Sequence, residues 1–192
     1  MDKKNILKYL RTNSAVTDES ILALVDRAAD DIEKNAEPKT LYRIFDCRVS
    51  DSEMAIGDVR FESTHLADNL RGCKRVVVFG ATLGLKIDRM IQSAAATDVA
   101  LAMAYQAAAA ELIEEVCDNL EDEIRLQHGV TLRNRYSPGY FDLDITEQKK
   151  LFSLIEITKR IGITLTDSYQ MMPSKSVTAF IGIEEQTIPP SA

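Results

Sequence analysis

The sequence is organised around the stretch Arg135–Tyr140, which reads Arg-Tyr-Ser-Pro-Gly-Tyr. Pro138 and Gly139 suit the two central positions of a type II turn, because proline presets its φ and glycine accepts the positive φ that follows. Such a turn exposes backbone hydrogen-bonding groups on a short loop, next to the guanidinium of Arg135 and the ring of Tyr140. Arginine binds carboxylates through two parallel hydrogen bonds. The stretch therefore predicts a site for a small polar ligand with an anionic end; the alternative is a hairpin with a surface arginine.

Length and composition indicate a globular protein with a real hydrophobic core: 192 residues, 45% hydrophobic and 28% charged. The formal net charge of −7 argues against nucleic-acid binding, which needs clustered Lys and Arg. No apolar run approaches the ~20 residues that span a bilayer.

The first residues lack the apolar core of a signal peptide. Cys47, Cys73 and Cys117 are odd in number and widely spaced, which favours reduced thiols. We therefore expect a cytoplasmic protein without nucleic-acid or membrane partners.

Apolar residues at helical spacing predict an N-terminal helical region over residues 4–11 and 18–35, with Thr17 as the N-cap of the second helix. The longest helix is predicted over 97–128 and ends at Gly129. Its first half is rich in alanine, so a neighbouring element can approach closely, and we expect that half to be buried on more than one side.

An apolar stripe follows the length of this helix and predicts that Met103 packs in the core. The acidic residues between positions 114 and 123 are predicted to face mostly solvent. The stripe consists of Val99, Met103, Ala110, Ile113, Val116, Leu120 and Ile124.

Strands are predicted where β-compatible residues cluster, at 41–49, 74–80, 163–165 and 177–183. The second of these is apolar throughout, which is typical of a strand buried on both faces. Residues 50–58 are expected to form a loop, and Ser63 to cap a short helix that ends near Leu70. The turn at Gly80–Gly84 invites a phosphate-loop interpretation but lacks the full glycine motif and a Walker lysine, so a structural turn is the alternative.

A single helix is predicted between Asp144 and Gly162, with Asp144 and Glu147 as its capping box. Asp142-x-Asp144 could also suggest a metal site, but the cap accounts for Asp144, and we predict no metal ligands and no catalytic residue in this chain.

These elements predict an α+β fold, in which an antiparallel or mixed sheet is flanked by helices and preceded by an N-terminal helical region. We expect one domain over residues 1–192. Within it, 1–36 form the helical region, 37–183 the α+β core and 184–192 a tail.

The order of several motifs resembles the activation (reactivation) domain of cobalamin-dependent methionine synthase. The motifs are Arg-x-x-x-Gly-Tyr at 135–140, Ile-Gly-Ile-Thr-Leu-Thr-Asp-Ser at 161–168, Met171-x-Pro173 and Ser176-Val177. The forms Ser-Pro-Gly-Tyr at 137–140 and Met-Met-Pro-Ser-Lys-Ser-Val-Thr-Ala at 171–179 are most similar to short free-standing relatives of that domain. The match is strong over roughly residues 110–183 and weak upstream.

The resemblance implies that the chain binds S-adenosylmethionine. The residues that would hold it are Arg135, Ser137, Gly139, Tyr140 and Glu114. Glu114 aligns near the family's ligand-contacting glutamate, although neighbouring Glu111 and Glu115 leave the register open.

In that family an electron donor such as flavodoxin reduces the cobalt, and S-adenosylmethionine gives the methyl group that restores methylcobalamin. The resemblance thus implies a reactivation protein for the cob(II)alamin centre of a partner methionine synthase or another corrinoid methyltransferase. The chain has no Asp-x-His-x-x-Gly, by which corrinoid domains supply an axial histidine, so cobalamin is expected only through the partner. The family's C-terminal tyrosine and N-terminal aspartate have no clear counterparts. The alternative is therefore a non-catalytic adaptor that docks on a corrinoid protein and binds a different nucleotide-like ligand or none.

Overall fold

The computed structural model describes residues 1–10 and 18–184. Seven α-helices and eight strands lie within these residues. The helices are α1 (Lys3–Tyr9), α2 (Glu19–Asn35), α3 (Thr64–Leu70), α4 (Leu85–Ala95), α5 (Val99–His128), α6 (Gln148–Ile155) and α7 (Ile157–Ile161). The strands are β1 (Lys39–Val49), β2 (Glu53–Ile56), β3 (Val59–Glu62), β4 (Arg75–Thr82), β5 (Thr131–Leu132), β6 (Thr164–Leu165), β7 (Met171–Met172) and β8 (Ser176–Glu184). None of the described helices is long and apolar enough to cross a membrane.

Six of the strands form one sheet in the order β3-β2-β1-β4-β8-β5, and every pairing in it is antiparallel. The predicted α+β class is confirmed, with the antiparallel form of the sheet. β6 and β7 make a separate two-stranded ribbon.

The sheet separates two hydrophobic cores, and the alternation of side chains along β4 supplies both. Val77 and Phe79 point into the first core, while Val76 and Val78 point into the second, and all four are fully buried. This confirms that the apolar run at 74–80 is a strand buried on both faces, although the strand continues to Thr82. Helices α1, α2, α4 and α5 cover the first core, and α3, α6 and α7 cover the second.

The alanine-rich half of α5 is buried between other helices, as predicted. Ala104, Ala108 and Ala109 are fully buried, and both α2 and α4 pack against α5. The predicted apolar stripe is wrong at the start of α5, because Val99 and Met103 are 67% and 55% exposed. Met103 is therefore not a core residue: small side chains, rather than the larger apolar ones, make the contact at this end of α5.

Residues 50–58 were predicted as a loop, and this is wrong. They contribute β2, which turns through Gly57 and Asp58 into β3, with Ile56 paired to Val59. Met54, Ile56 and Phe61 point into the second core and are at most 1% exposed. The alternation that marks a half-buried strand is present, but each strand has only four residues and charged residues interrupt it.

The single helix predicted after Asp144 is also wrong, because the chain forms a short 3-10 turn (Ile145–Glu147), then α6 and α7. Glu156 separates α6 from α7 with a left-handed φ of 52°. Asp144 does cap the first turn through the amide of Thr146, but Glu147 pairs with Lys150 at 2.8 Å instead of completing a capping box. After the break, α7 packs against β1 and β4, with Ile157 and Ile161 next to Gly80.

The predicted helix ends hold elsewhere. Ser63 accepts from the amide of Leu66, and Gly129 closes α5 in the left-handed conformation. Asp18 caps α2 through the amide of Ser20. Thr17, predicted for that role, lies outside the described residues, as does the predicted tail beyond Glu184.

A substitution at Gly182 in β8 tests how tightly the second core is packed. A Cβ built there would lie 2.8 Å from Sγ of Cys73 and 3.2 Å from Cδ2 of Leu70. We expect Gly182→Ala to lower the free energy of unfolding by about 1–3 kcal/mol, the usual cost of overpacking a core. Gly80→Ala is the matched control, since its nearest neighbours are flexible Cδ1 ends at 3.3 and 3.4 Å. Urea unfolding of both variants measures the difference, and equal stability of Gly182→Ala and wild type would contradict this packing.

Candidate functional site

The site begins where residues 133–136 run beside β8. Leu132 pairs with Ile183, whereas Tyr136 pairs with Phe180, so this segment advances by four residues while β8 advances by three. One extra residue in a strand reverses the faces to which later side chains point. Leu132 accordingly packs in the first core and Tyr136 against the second, and Arg135 is directed toward α5.

Arg135 contacts three carboxylates on one face of α5. Its Nη2 donates to Glu114 at 2.6 Å, and its Nη1 donates to Asp118 at 2.7 Å and to Glu121 at 2.6 Å. Residues spaced by three, four and seven positions share a helix face, which explains how one guanidinium reaches all three. Glu121 also accepts from Arg125 at 2.8 Å. The acidic stretch is thus not simply a solvated face, because the Glu121 side chain is only 10% exposed.

The guanidinium of Arg135 stays charged. Burial lowers its pKa, but the hydrogen bonds to Asp118, Glu121 and Glu114 outweigh burial, and the net pKa lies above its usual value. The local charge remains negative, since three carboxylates face Arg135 and one of them is shared with Arg125. A cation or zwitterion is therefore favoured beside this cluster over a simple anion.

The turn after Arg135 has the predicted form. The amide of Tyr140 donates to the carbonyl of Ser137 at 3.3 Å, and Gly139 has a φ of +93°. A side chain at position 139 would be strained there and would also lie 3.1 Å from Cδ1 of Ile145. The backbone of Gly139 donates to Leu143, a fully buried residue that anchors the loop.

Asp142 ties the same loop to the start of α3. Its carboxylate accepts from Ser63 Oγ at 2.5 Å and from the amide of Thr64 at 2.6 Å, and lies 3.2 Å from Nδ1 of His65. The hydrogen bond from Ser63, followed by those from the α3 amides, lowers the pKa of Asp142 to about 2. The ring of Phe141 stacks on His65 at 4.8 Å between centroids. Asp142 is therefore an anchor for the loop.

The opposite wall is formed by the ribbon β6–β7 and the start of β8. Asp88 on α4 holds this wall, because Ser174 donates to its carboxylate from both the amide, at 2.8 Å, and Oγ, at 2.6 Å. Ser176 donates to Thr82 Oγ1 at 2.8 Å. Toward this end of the sheet the side chains facing the second core change from Phe180 to Thr178 and Ser176, and the core opens into a polar cleft.

The cleft has a volume of about 610 Å³, which suits a small-molecule ligand. Four of the five predicted ligand residues line it, namely Glu114, Arg135, Ser137 and Tyr140; Gly139 shapes the turn behind them. The sequence prediction did not include the other lining residues, among them Tyr136, Gln148, Tyr169, Gln170 and Thr178. The sequence motifs around 171–178 could have identified some of these lining residues, such as Thr178.

Glu114 and Arg135 also line a second cavity of about 800 Å³ on the other side of their ion pair. Its remaining walls come from the N-terminal residues 1–9, which include α1, and from Glu111, Glu115 and Asp118 of α5. The ion pair therefore forms a partition between the two spaces. Glu111, the alternative to Glu114, is only 8% exposed and accepts from Asn5 at 3.1 Å. The structure places Glu114, not Glu111, in the cleft beside Arg135.

Comparisons with known proteins agree with this architecture. A family model described as the activation domain of vitamin B12 dependent methionine synthase matches residues 2–187. Among solved structures, the MetH reactivation domain bound to AdoHcy matches with a TM-score of 0.68 at 20% sequence identity. That match covers 91% of this chain and 68% of the other. At this identity the likeness shows a shared fold. No match was found among curated proteins.

The Asp142 anchor predicts a pH-dependent contribution to stability. The pKa of Asp142 falls from 3.8 to about 2, so its ionised carboxylate stabilises the folded protein above about pH 4 and loses this effect as pH falls toward 2. We expect Asp142→Asn to have a lower Tm than wild type at pH 7, with the difference shrinking below pH 4. Asp58→Asn, in the exposed turn between β2 and β3, is the control. Thermal unfolding as a function of pH measures the effect, and a difference that is constant with pH would refute the assignment.

Proposed function

The chain belongs to the family of vitamin B12 dependent methionine synthase activation domains, and we propose that it binds S-adenosylmethionine in the cleft beside Arg135. We propose further that it supports reductive methylation of a cob(II)alamin centre held by a partner methionine synthase or other corrinoid methyltransferase. The observation that carries the proposal is that one cleft collects Glu114, Arg135, Ser137 and Tyr140. The solved relative was crystallised with AdoHcy, which lacks the methyl group of S-adenosylmethionine and, with it, the positive charge on sulfur.

The amino-acid end of the ligand fits the pair of charges at the cleft wall. The carboxylate of the ligand would accept two hydrogen bonds from the guanidinium of Arg135, and its ammonium would pair with Glu114. Glu114 is the carboxylate best placed to exchange, because its side chain is 43% exposed and lines the cleft, whereas Glu121 is 10% exposed and held by two arginines. Binding would replace the Arg135–Glu114 bond while Glu121 continues to hold the guanidinium.

The positive sulfonium of S-adenosylmethionine fits the excess of negative charge around Arg135. The ammonium and the carboxylate of the ligand cancel each other, so Glu114, Asp118 and Glu121 still outnumber Arg135 and Arg125, and the cluster keeps its net negative charge. Opposite charges at short range in a partly buried site attract more strongly than in bulk water.

The mouth of the cleft is suited to a transient partner. Tyr140 and Phe141 stand there with 63% and 80% of their surfaces exposed. A methyl group held in an open cleft can be reached by a cofactor that a second protein carries, and exposed aromatic rings are common at protein interfaces.

In this account S-adenosylmethionine supplies the methyl group, and the partner's cobalamin, reduced by a flavodoxin-like donor, receives it. This chain binds and orients the donor and provides the docking surface, as proteins do for cofactor-borne chemistry. We place this role in the cytoplasm, where the buried thiols of Cys47, Cys73 and Cys117 stay reduced.

A second candidate function is supported by one observation. The guanidinium of Arg135 already contacts three carboxylates, which is also what a purely structural tie between α5 and the strand segment would show. In that case the protein would be an adaptor that docks on a corrinoid protein and binds a different nucleotide-like ligand or none.

Ligand binding by variants of Arg135 distinguishes the two candidate functions. We expect Arg135→Ala to weaken S-adenosylmethionine binding by about tenfold to a hundredfold, because a charge-assisted hydrogen bond contributes roughly 1.5–3 kcal/mol. Arg135→Lys should recover little, since an ammonium cannot reproduce the two-pronged contact. Arg125→Ala is the matched control, because Arg125 also pairs with Glu121 but does not line the cleft. Calorimetric titration measures the affinities, and wild-type binding by both Arg135 variants would remove Arg135 from the site.

The reactivation role is tested with a partner present. The protein, S-adenosylmethionine, a one-electron reductant and a corrinoid partner in the cob(II) state are combined, and spectra are followed for methylcobalamin. We expect conversion to require this protein and to slow at least tenfold with Arg135→Ala when S-adenosylmethionine is subsaturating. If the protein binds S-adenosylmethionine but accelerates conversion of no corrinoid partner, the adaptor function is supported instead.

A further inference from the structure

Gln148, the first residue of α6, is a buried polar side chain in the cleft. It is 2% exposed and lines the cleft wall together with Thr178, which is 1% exposed. The hydroxyl of Thr178 donates to Oε1 of Gln148 at 2.7 Å. In this arrangement the carbonyl end of the amide faces Thr178, and the NH2 end is directed away from that hydroxyl.

The other end of the amide, Nε2, carries two N–H donors. Within residues 1–10 and 18–184, Nε2 makes no hydrogen bond to a protein acceptor. Buried side-chain donors in native proteins nearly always have a partner, and a site built to hydrogen-bond its ligand leaves donors unpaired until the ligand arrives. Thr178 holds the carbonyl end of Gln148, so the Nε2 end is available to a ligand in the cleft that Gln148 lines.

Gln148 and Arg135 line different parts of the cleft. Tyr136, the neighbour of Arg135, pairs with Phe180, and Thr178 lies two residues further along β8, about 7 Å away at the usual rise of a strand. A ligand whose amino-acid end contacts Arg135 extends its nucleoside half toward Thr178. Tyr136 and Ile145 also line the cleft and supply apolar surface for a flat base.

We infer that Gln148 is a specificity-determining residue, which donates hydrogen bonds from Nε2 to an acceptor atom in the nucleoside half of the ligand. The acceptor is a ring nitrogen of the base or an oxygen of the ribose. Thr178 is the positioning residue that orients the amide. This inference rests on the proposed function, since it takes the ligand to be an adenine nucleoside joined to an amino acid.

Two ligands distinguish the roles of Gln148 and Arg135: S-adenosylhomocysteine, and methylthioadenosine, which keeps the nucleoside but lacks the amino-acid end. Gln148→Met, which preserves length but removes the amide, is expected to weaken binding of both by the same factor, about tenfold. Arg135→Ala is expected to weaken S-adenosylhomocysteine alone. Gln92→Met, on the exposed face of α4, is the control and should change neither affinity.

Thr178 provides the second pair of variants. Thr178→Val removes the hydroxyl and should weaken both ligands, whereas Thr178→Ser keeps it and should bind as wild type. In the Gln148→Met background Thr178→Val should have no additional effect, because the threonine acts through the glutamine. A merely structural role would lower Tm without this loss of additivity in binding.

Ligand analogues test the contact in the unaltered protein, whatever the variants do to folding. Adenosines with one ring nitrogen replaced by CH, and deoxyadenosines lacking one hydroxyl, are titrated against wild type. At least one should bind about tenfold more weakly than adenosine, which identifies the acceptor and supports the inference.

The results that overturn the inference differ from those that overturn the proposed function. The role of Gln148 is rejected if all analogues bind equally well. It is also rejected if Gln148→Met weakens binding of S-adenosylhomocysteine but not of methylthioadenosine. In both cases the cleft remains a ligand site. If neither S-adenosylhomocysteine nor methylthioadenosine binds wild type, the proposed function and this inference fall together.

Discussion

The contact between Arg135 and α5 is the interaction on which the candidate site depends. The guanidinium joins a strand segment beside β8 to three carboxylates spaced along one helix face. It can do so because one extra residue beside β8 directs Arg135 toward α5 while Tyr136 packs on the opposite side. The same contact closes the wall between the cleft and the cavity next to α1. A single change of strand register thus positions the cation and shapes the space around it.

The less regular segments that line the cleft are held by carboxylates outside it. Asp142 fastens the Pro138–Gly139 turn to the start of α3, and Asp88 on α4 fastens Ser174. Backbone amides at helix starts are good donors to carboxylates, which explains why Asp142 lies at such a position. Two loops are in this way fixed relative to the sheet, and the side chains that line the cleft between them keep a defined geometry.

The sequence predicted those features that depend on local pattern. The buried strand β4, the strand at 177–183, the cap at Ser63 and the positive φ of Gly139 all follow from neighbouring residues, and the structure confirms them. The β2–β3 hairpin was missed, because its apolar alternation is short and its stability comes from packing on the second core.

Features that depend on tertiary contacts were not predictable in the same way. Met103 is exposed because alanines, not larger residues, meet α2 and α4. After the break at Glu156, α7 packs against β1 and β4, which are distant in sequence. In the site, Glu121 and Gln148 were missed since nothing local distinguishes them from other polar helix residues. Only their burial, and their contacts with Arg135 and Thr178, mark them.

A crystal structure of this protein with S-adenosylhomocysteine would show directly whether Arg135 holds the ligand. We expect the ligand in the cleft, with its carboxylate on Arg135 at about 2.7–2.9 Å. We also expect Glu114 to be released from the guanidinium toward the ligand's ammonium, while Glu121 stays bonded to Arg135. A ligand bound elsewhere, or one in the cleft whose carboxylate leaves the Arg135–Glu114 pair intact, would contradict this prediction.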